Sequence, residues 1–535
     1  MKRWTLGFVG TFAALLLLHF PLLKLPYFWD EAGYYIPAAL DIYNGWRLVP
    51  ESTLPTGHTP LVMIYLAVAW KLFGFSPLVT RTAMVLIVAA TVTAAYALAR
   101  RATDREPAVW ATLLLALSPM FFAQSTMVFL DLPAALFTTL AVIALLDRRM
   151  LMFAVVASLA VLTKETAVVL LPVAWIWAWW RGGRRKATVA PGGTCPDLIA
   201  SPADADPGTC HPKGRRYVKG RGQDPPLRWI ALIAPLVPLV TWTVYYHHRT
   251  GFWTGNAEYL QFNLYSTLSP GRFFWTLLRR SYEVFIGGFN WLLVAGAALG
   301  IWWGRRQGHR GTETRRESSC FSLIAAGLIA AYILMLSVVG GAVLPRYLLP
   351  IVPFFILATV ALVWRLPRAF ARATCGIALT GFVAAWFINP PYPFPYEDNL
   401  SYADFIRLHQ DAARYLESRP SGERILTAWP ATDELARPFL GYVTKPLRVV
   451  PLEGLTANDF ETVAPESFDL LYVYSRKWET PNNWLEWLPA FRRAQERHFG
   501  YAQQMSNEEL VLRFRLKLLQ QFERRGQWAR IYGNQ

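Results

Sequence analysis

The sequence predicts a mostly α-helical integral membrane protein, with about eleven transmembrane helices and a small C-terminal α/β domain on the extracytoplasmic side. Three observations predict it. Apolar runs long enough to cross a bilayer recur from Trp4 to Phe387. Basic clusters such as Arg100-Arg101, Arg148-Arg149, Arg184-Arg185-Lys186 and Arg305-Arg306 fall at alternate ends of those runs, as the positive-inside bias requires. From Asn389 onward short apolar stretches alternate with amphipathic ones instead.

The totals agree. The chain has 535 residues, 54% of them hydrophobic, with 23 Trp, which is too apolar for an ordinary soluble protein of this size. The net charge of +17 comes from loop Lys and Arg and points to membrane topology, not to a nucleic-acid partner. The four cysteines, Cys195, Cys210, Cys320 and Cys375, are too scattered for a disulfide framework. Cys195, Cys210 and His211 do not complete a zinc set.

Taken in order, Met1-Lys2-Arg3 precedes an apolar run with no small-x-small cleavage site, so Trp4 to Leu23 reads as an uncleaved first span leaving the cytoplasm. The first outside loop, 24–77, is long and aromatic. It holds two surface helices, Asp30 to Tyr43 with Pro37 as a kink, and Pro60 to Phe73 capped by Thr59 with Pro60 at the first helical position. Spans follow at Leu78 to Ala99, Pro107 to Phe122, Met127 to Asp147 and Leu151 to Leu162; after a turn at Thr163-Lys164-Glu165 the chain returns to Trp180. Residues 187–226, rich in Gly, Pro and charge, read as a flexible cytoplasmic loop. Further spans run Trp229 to Tyr246, Val284 to Trp303, Phe321 to Val339, Tyr347 to Trp364 and Cys375 to Phe387, with outside segments at His247 to Arg280 and Gly340 to Arg346. The membrane part is therefore 1–388, joined by a stiff Pro-rich linker at 389–395 to an outside domain at 396–535. In that domain Tyr402 to Glu417, Ala431 to Leu440 and Trp484 to His498 read as helices. Arg424 to Trp429, Leu447 to Leu452, Phe468 to Tyr474, Glu509 to Leu516 and Ala529 to Tyr532 read as strands. It has no Gly-rich phosphate loop and is assigned no nucleotide; it is expected to select the acceptor.

The stretch Trp29-Asp30-Glu31-Ala32-Gly33-Tyr34-Tyr35 places two carboxylates at the membrane surface, where they are costly unless a polar cavity receives them. Asp30 is either a general base or a helix cap. Asp30-Glu31-x-x-Tyr34, Asn44-Gly45-Trp46, His58-Thr59-Pro60-Leu61, Lys71-Leu72-Phe73-Gly74 and Arg81 resemble the first loop of the protein O-mannosyltransferase and aminoarabinose lipid A transferase-like family of GT-C glycosyltransferases. Phe129-Leu130-Asp131-Leu132-Pro133, Leu162-Thr163-Lys164-Glu165 and Pro345-Arg346-Tyr347-Leu348-Leu349-Pro350 look like later family motifs, in the expected order. The resemblance covers Trp4 to Phe387. Two departures stand out: Gly33 where relatives often carry Arg, and His58-Thr59-Pro60-Leu61 where they carry Lys-Pro-Pro-Leu.

The resemblance implies the GT-C fold, a polyprenyl-phosphate sugar donor, a hydroxyl acceptor on a lipid, glycan or protein, inversion at the anomeric carbon, and no metal or other cofactor. Asp30 is then the expected base. Glu31 lies about 100° round a helix from it and either joins the chemistry or orients the loop. Asp131, at the start of the fourth span, is a pocket wall or a residue favoured by the helix dipole. Lys164 and Arg346 are cations on the outer side, suited to the donor phosphate or to lipid headgroups. Arg272, with Arg279 and Arg280, and His58 are weaker phosphate candidates, and Tyr34 and Tyr35 are candidate sugar-stacking residues. The alternative is a multi-pass lipid-linked sugar flippase. Such transporters show internal repeats and helices broken near the midplane, whereas the polar residues here gather on one face.

Overall fold

The computed structural model describes residues 2–187, 225–256, 268–307, 314–339, 344–388, 397–476, 489–499 and 504–534. Most of the 187–226 loop, all of the 389–395 linker, and residues 340–343 of the expected Gly340 to Arg346 turn lie outside the described residues.

The apolar runs form helices. In order these are α1 (Lys2–Leu18), α2 (Ile36–Gly45), α3 (Leu61–Phe73), α4 (Pro77–Ala102), α5 (Arg105–Leu117), α6 (Pro119–Gln124), α7 (Asp131–Leu146) and α8 (Met150–Thr163). Then come α9 (Leu170–Ala187), α10 (Pro225–Ile233), α11 (Leu236–Thr250), α12 (Pro270–Phe285), α13 (Asn290–Arg306), α14 (Thr314–Val339), α15 (Val352–Val363) and α16 (Arg368–Ala385). Among the described residues five helical segments are long and apolar enough to cross a bilayer: Pro77–Ala102, Trp229–Thr250, Pro270–Arg306, Phe321–Val339 and Pro345–Val363. With the shorter apolar helices they make a multi-pass membrane protein.

Several expected spans are interrupted for local reasons. Pro107 to Phe122 divides at Ser118, which takes extended backbone (ψ 138°) because Pro119 follows it. Tyr347 to Trp364 begins as a 3₁₀ turn, Pro345–Ile351, with Pro350 inside it. Close helix crossings use small residues: a Cβ on Gly300 of α13 would lie 2.1 Å from the Leu362 carbonyl oxygen of α15, so only glycine permits that approach.

Beyond the helices lies a five-stranded sheet of order β2-β1-β3-β5-β4, with β1 (Ile425–Ala428), β2 (Val449–Leu452), β3 (Leu470–Tyr474), β4 (Leu516–Arg524) and β5 (Gln527–Asn534). β1 runs parallel to β2 and β3, and β5 antiparallel to β3 and β4. α17 (Ser401–Glu417), α18 (Ala431–Ala436), α19 (Pro489–Phe499) and α20 (Asn507–Phe514) accompany it. The sheet shares a core with the first loop: Tyr27, Phe28, Ile36 and Trp70 pack in one cluster with Tyr402, Phe405, Tyr472 and Tyr474. Polar ties reinforce it, Tyr27 N–H donating to Leu440 O (3.2 Å) and Tyr442 Oη to Tyr27 O (3.0 Å).

Three expectations are corrected. Glu509 to Leu516 is not a strand: Ser506 and Glu509 form a capping box that starts α20, and the strand begins only at Leu516. Thr59 does not cap α3. Pro60 holds the N-cap position without a side-chain bond, and Thr59 Oγ1 turns instead to Val161 O at 3.4 Å. The helix expected from Asp30 is not regular α throughout: it opens as a π-helical turn, Glu31–Tyr35, that runs straight into α2 just ahead of Pro37.

Candidate active site

The site begins with a sharp bend. Trp29 adopts left-handed backbone (φ 51°), and the wide π turn of Glu31–Tyr35 follows. A π turn adds a residue to the helical circuit and often marks functional positions. Here the adjacent carboxylates of Asp30 and Glu31 reach different partners.

Glu31 is completely buried, and four donors take its two oxygens. Arg81 of α4 binds both, at 2.7 and 3.0 Å; the amides of Phe28 (2.8 Å) and Val128 (2.5 Å) complete the set. Arg81 also donates to the carbonyls of Pro26 (2.7 Å) and Thr126 (2.8 Å), so one ion pair fastens the first loop to the start of α7.

Asp30 is different. It occupies the N-cap position of the π turn yet makes no capping bond. Its side chain, 20% exposed, receives Nη2 of Arg346. Arg346 is 2% exposed and bonded to further acids: Nη1 reaches both oxygens of Glu397 (2.6 and 2.7 Å), and Nε lies 3.8 Å from Asp131. Its guanidinium stacks on Phe129, 3.9 Å from the ring centre. Asp131, at the first position of α7, also binds Lys164 at 2.5 Å, and the Lys164 ammonium lies 4.1 Å from the centre of the Tyr347 ring. Lys164 is held out of helix by the break between α8 and the 3₁₀ turn Glu165–Val169. Three carboxylates therefore surround two cations at one end of the bundle. The opposite end of α7 carries Asp147 paired with Arg101, about 24 Å away at 1.5 Å per residue.

Burial pushes Glu397 up to about 7; the Arg346 guanidinium opposes this, and Asp30 and Asp131 add to it. Asp398 beside it is raised to about 6, again by burial.

The remaining sequence candidates divide. Tyr35 is buried, its ring edge-on to Phe129 (6.1 Å) and near His58 (6.1 Å), while Tyr34 is half-buried and faces Trp429 (6.2 Å). His58 Nδ1 is 3.0 Å from Glu165 Oε1, a carboxylate partner where a phosphate was expected. Tyr34, Tyr35 and His58 line a small pocket together with Thr53, Trp242 and Tyr246. Arg272 is in the first turn of α12, about 12 Å along that helix from Arg280. Arg280 is the one that approaches the cluster: it is fully buried, lies 5.8 Å from the Tyr347 ring centre, and spends Nη1 on Leu344 O and Glu283, leaving Nε and Nη2 without partners among the described residues.

Sequence reasoning missed Glu397, Tyr347 and the tie between Glu31 and Arg81. The available signal for Glu397 is an acidic pair, Glu397-Asp398, directly behind a Pro-rich run.

Comparison with known proteins bears on this geometry. Residues 57–192 match the model of the dolichyl-phosphate-mannose-protein mannosyltransferase family. No curated protein sequence matches the chain. Two crystal structures of ArnT from Cupriavidus metallidurans resemble it along nearly its whole length. The form bound to undecaprenyl phosphate has a TM-score of 0.52 at 14% identity, and the apo form 0.53 at 15%; each comparison covers 99% of this chain and 98% of that one. Such identities speak to fold. The chain has the fold of the GT-C glycosyltransferases and, over residues 57–192, carries the sequence pattern of the dolichyl-phosphate-mannose-protein mannosyltransferase family.

Proposed function

We propose that this protein is a membrane glycosyltransferase that moves a sugar from a polyprenyl-phosphate donor to an acceptor hydroxyl, with inversion, at the outer face of the cytoplasmic membrane. The observation that carries the reading is Asp30: a partly exposed carboxylate that caps nothing and is aimed by a buried arginine. The basic clusters at the far end of the helices support the orientation. The ArnT structure that holds undecaprenyl phosphate supports the donor class.

In the reaction the acceptor oxygen attacks the anomeric carbon, the bond from that carbon to the phosphate oxygen breaks, and the lipid phosphate leaves with the electron pair. Asp30 takes the hydroxyl proton as the new bond forms. Lys164 and Arg280 are the cations we assign to the leaving phosphate. Arg280 has donors to spare, and both cations approach the Tyr347 ring. Asp131 holds Lys164, Arg346 holds Asp30, and Glu31 is assigned to holding the loop. Tyr34, Tyr35 and His58 line the adjacent cavity, on the side we give to the sugar.

The test is transfer from a panel of radiolabelled undecaprenyl-phosphate sugars to cell-envelope extract, comparing wild type with Asp30→Asn. The expected loss is about 10²–10⁴-fold in rate with donor binding retained. Equal rates would remove Asp30 as base. Movement of labelled lipid across vesicles without any product would replace the transferase with a flippase.

A further inference from the structure

A base gripped by a full positive charge is a poor base, because an adjacent arginine lowers a carboxylate by about 1–3 pKa units. Arg346 is not left to Asp30 alone. Both oxygens of Glu397 lie within 2.7 Å of its Nη1, and Asp131 stands 3.8 Å from its Nε. Charge balance on Arg346 and Lys164 needs two carboxylates, and here there are three. Glu397 is itself 6% exposed, and its carbonyl accepts from Gln124 Nε2 at 2.7 Å, so its position is fixed from two sides. It meets Nη1 of the guanidinium, whereas Asp30 meets Nη2.

We propose that Glu397 is a positioning residue for the transfer reaction: by sharing Arg346 it lets the arginine aim Asp30 without quenching its basicity. This rests on the reading of Asp30 as the base. The groups facing Glu397 are Arg346, Asp30, Asp131 and Tyr347, with Asp398 next in sequence and Glu283 and Arg279 beyond it. Burial pushes Glu397 up to about 7, so its charge changes near neutral pH. Above that pH it is an anion that draws on Arg346; below it Arg346 turns wholly to Asp30.

The test measures kcat and KM for the undecaprenyl-phosphate sugar that supports transfer, as a function of pH, in full-length wild type, Glu397→Gln, Glu397→Asp and Asp30→Asn. Wild type is expected to show a rise in kcat through about pH 7 that Glu397→Gln lacks. Above that pH, Glu397→Gln should fall on the order of tenfold in kcat, with donor KM little changed. Glu397→Asp, which keeps the charge, should keep an inflection, and it carries the test if Glu397→Gln does not fold. Infrared titration provides a readout free of activity: a carboxyl band changing near 7 in wild type should vanish in Glu397→Gln. A Glu397→Gln profile that overlays wild type, or is lowered evenly with the same inflection, overturns the proposal, as does an unchanged carboxyl titration. Full activity in Asp30→Asn would instead overturn the assignment of the base.

Discussion

At the scale of single residues, Asp30 and Glu31 are neighbours with opposite fates. Glu31 and Arg81 form a pair with side-chain exposures of 0% and 1%. Removing one partner strands the other charge in a dry site, a loss of about 3–5 kcal/mol. Glu31→Ala is therefore expected to lower thermal stability in detergent sharply, whereas Asp147→Asn at the exposed Arg101 pair should change it by less than about 1 kcal/mol. Similar unfolding temperatures for the two variants would refute this ranking. Glu397 adds a dependence on pH. Its folded pKa of about 7 lies above its ordinary 4.5, so the folded protein binds the extra proton across that window. The associated stability is present at low pH and is lost as pH rises through about 7. Melting curves should show wild type losing more stability than Glu397→Gln between those two pH values. The paired carboxylates were legible in the sequence, since charge beside an apolar span demands a reason. Their division of labour was not, because it depends on Arg81 and Arg346, which lie far along the chain.

At the scale of elements, the decisive contact joins the π turn to the end of β1. A Cβ on Gly33 would lie 2.9 Å from Nε1 of Trp429, and Trp429 also meets Trp29 edge-on at 5.1 Å. The glycine thus makes room for an indole that follows β1. Gly33→Ala should cost about 1–3 kcal/mol through overpacking. Combining it with Trp429→Ala should recover part of that loss; additive losses in the double-mutant cycle would show that the two do not press on each other. Helices and strands were readable from their periods, including Ser401–Glu417 and the strand at Ile425–Ala428. The misread element, Asn507–Phe514, shows the limit: its short apolar pattern suits either structure, and the Ser506–Glu509 cap decides. The π turn has no sequence period of its own.

At the scale of the whole molecule, the C-terminal part is built into the first loop rather than set apart from it. Its residues complete the core beneath the first loop and supply Glu397 to Arg346. A chain ended before Glu397 is therefore expected to lose donor binding as well as acceptor choice, with the 24–77 loop becoming open to proteases. Donor binding and protease resistance equal to the full chain would contradict this. The sequence did not reveal the dependence because a Pro-rich run separates the two parts and reads as a simple hinge.

The salt link between Asp30 and Arg346 spans 316 residues of chain. At ~5–20 residues per second of synthesis, Asp30 emerges tens of seconds before Arg346. The contact between them therefore forms only after most of the chain has been made, and a truncated or stalled product would lack it.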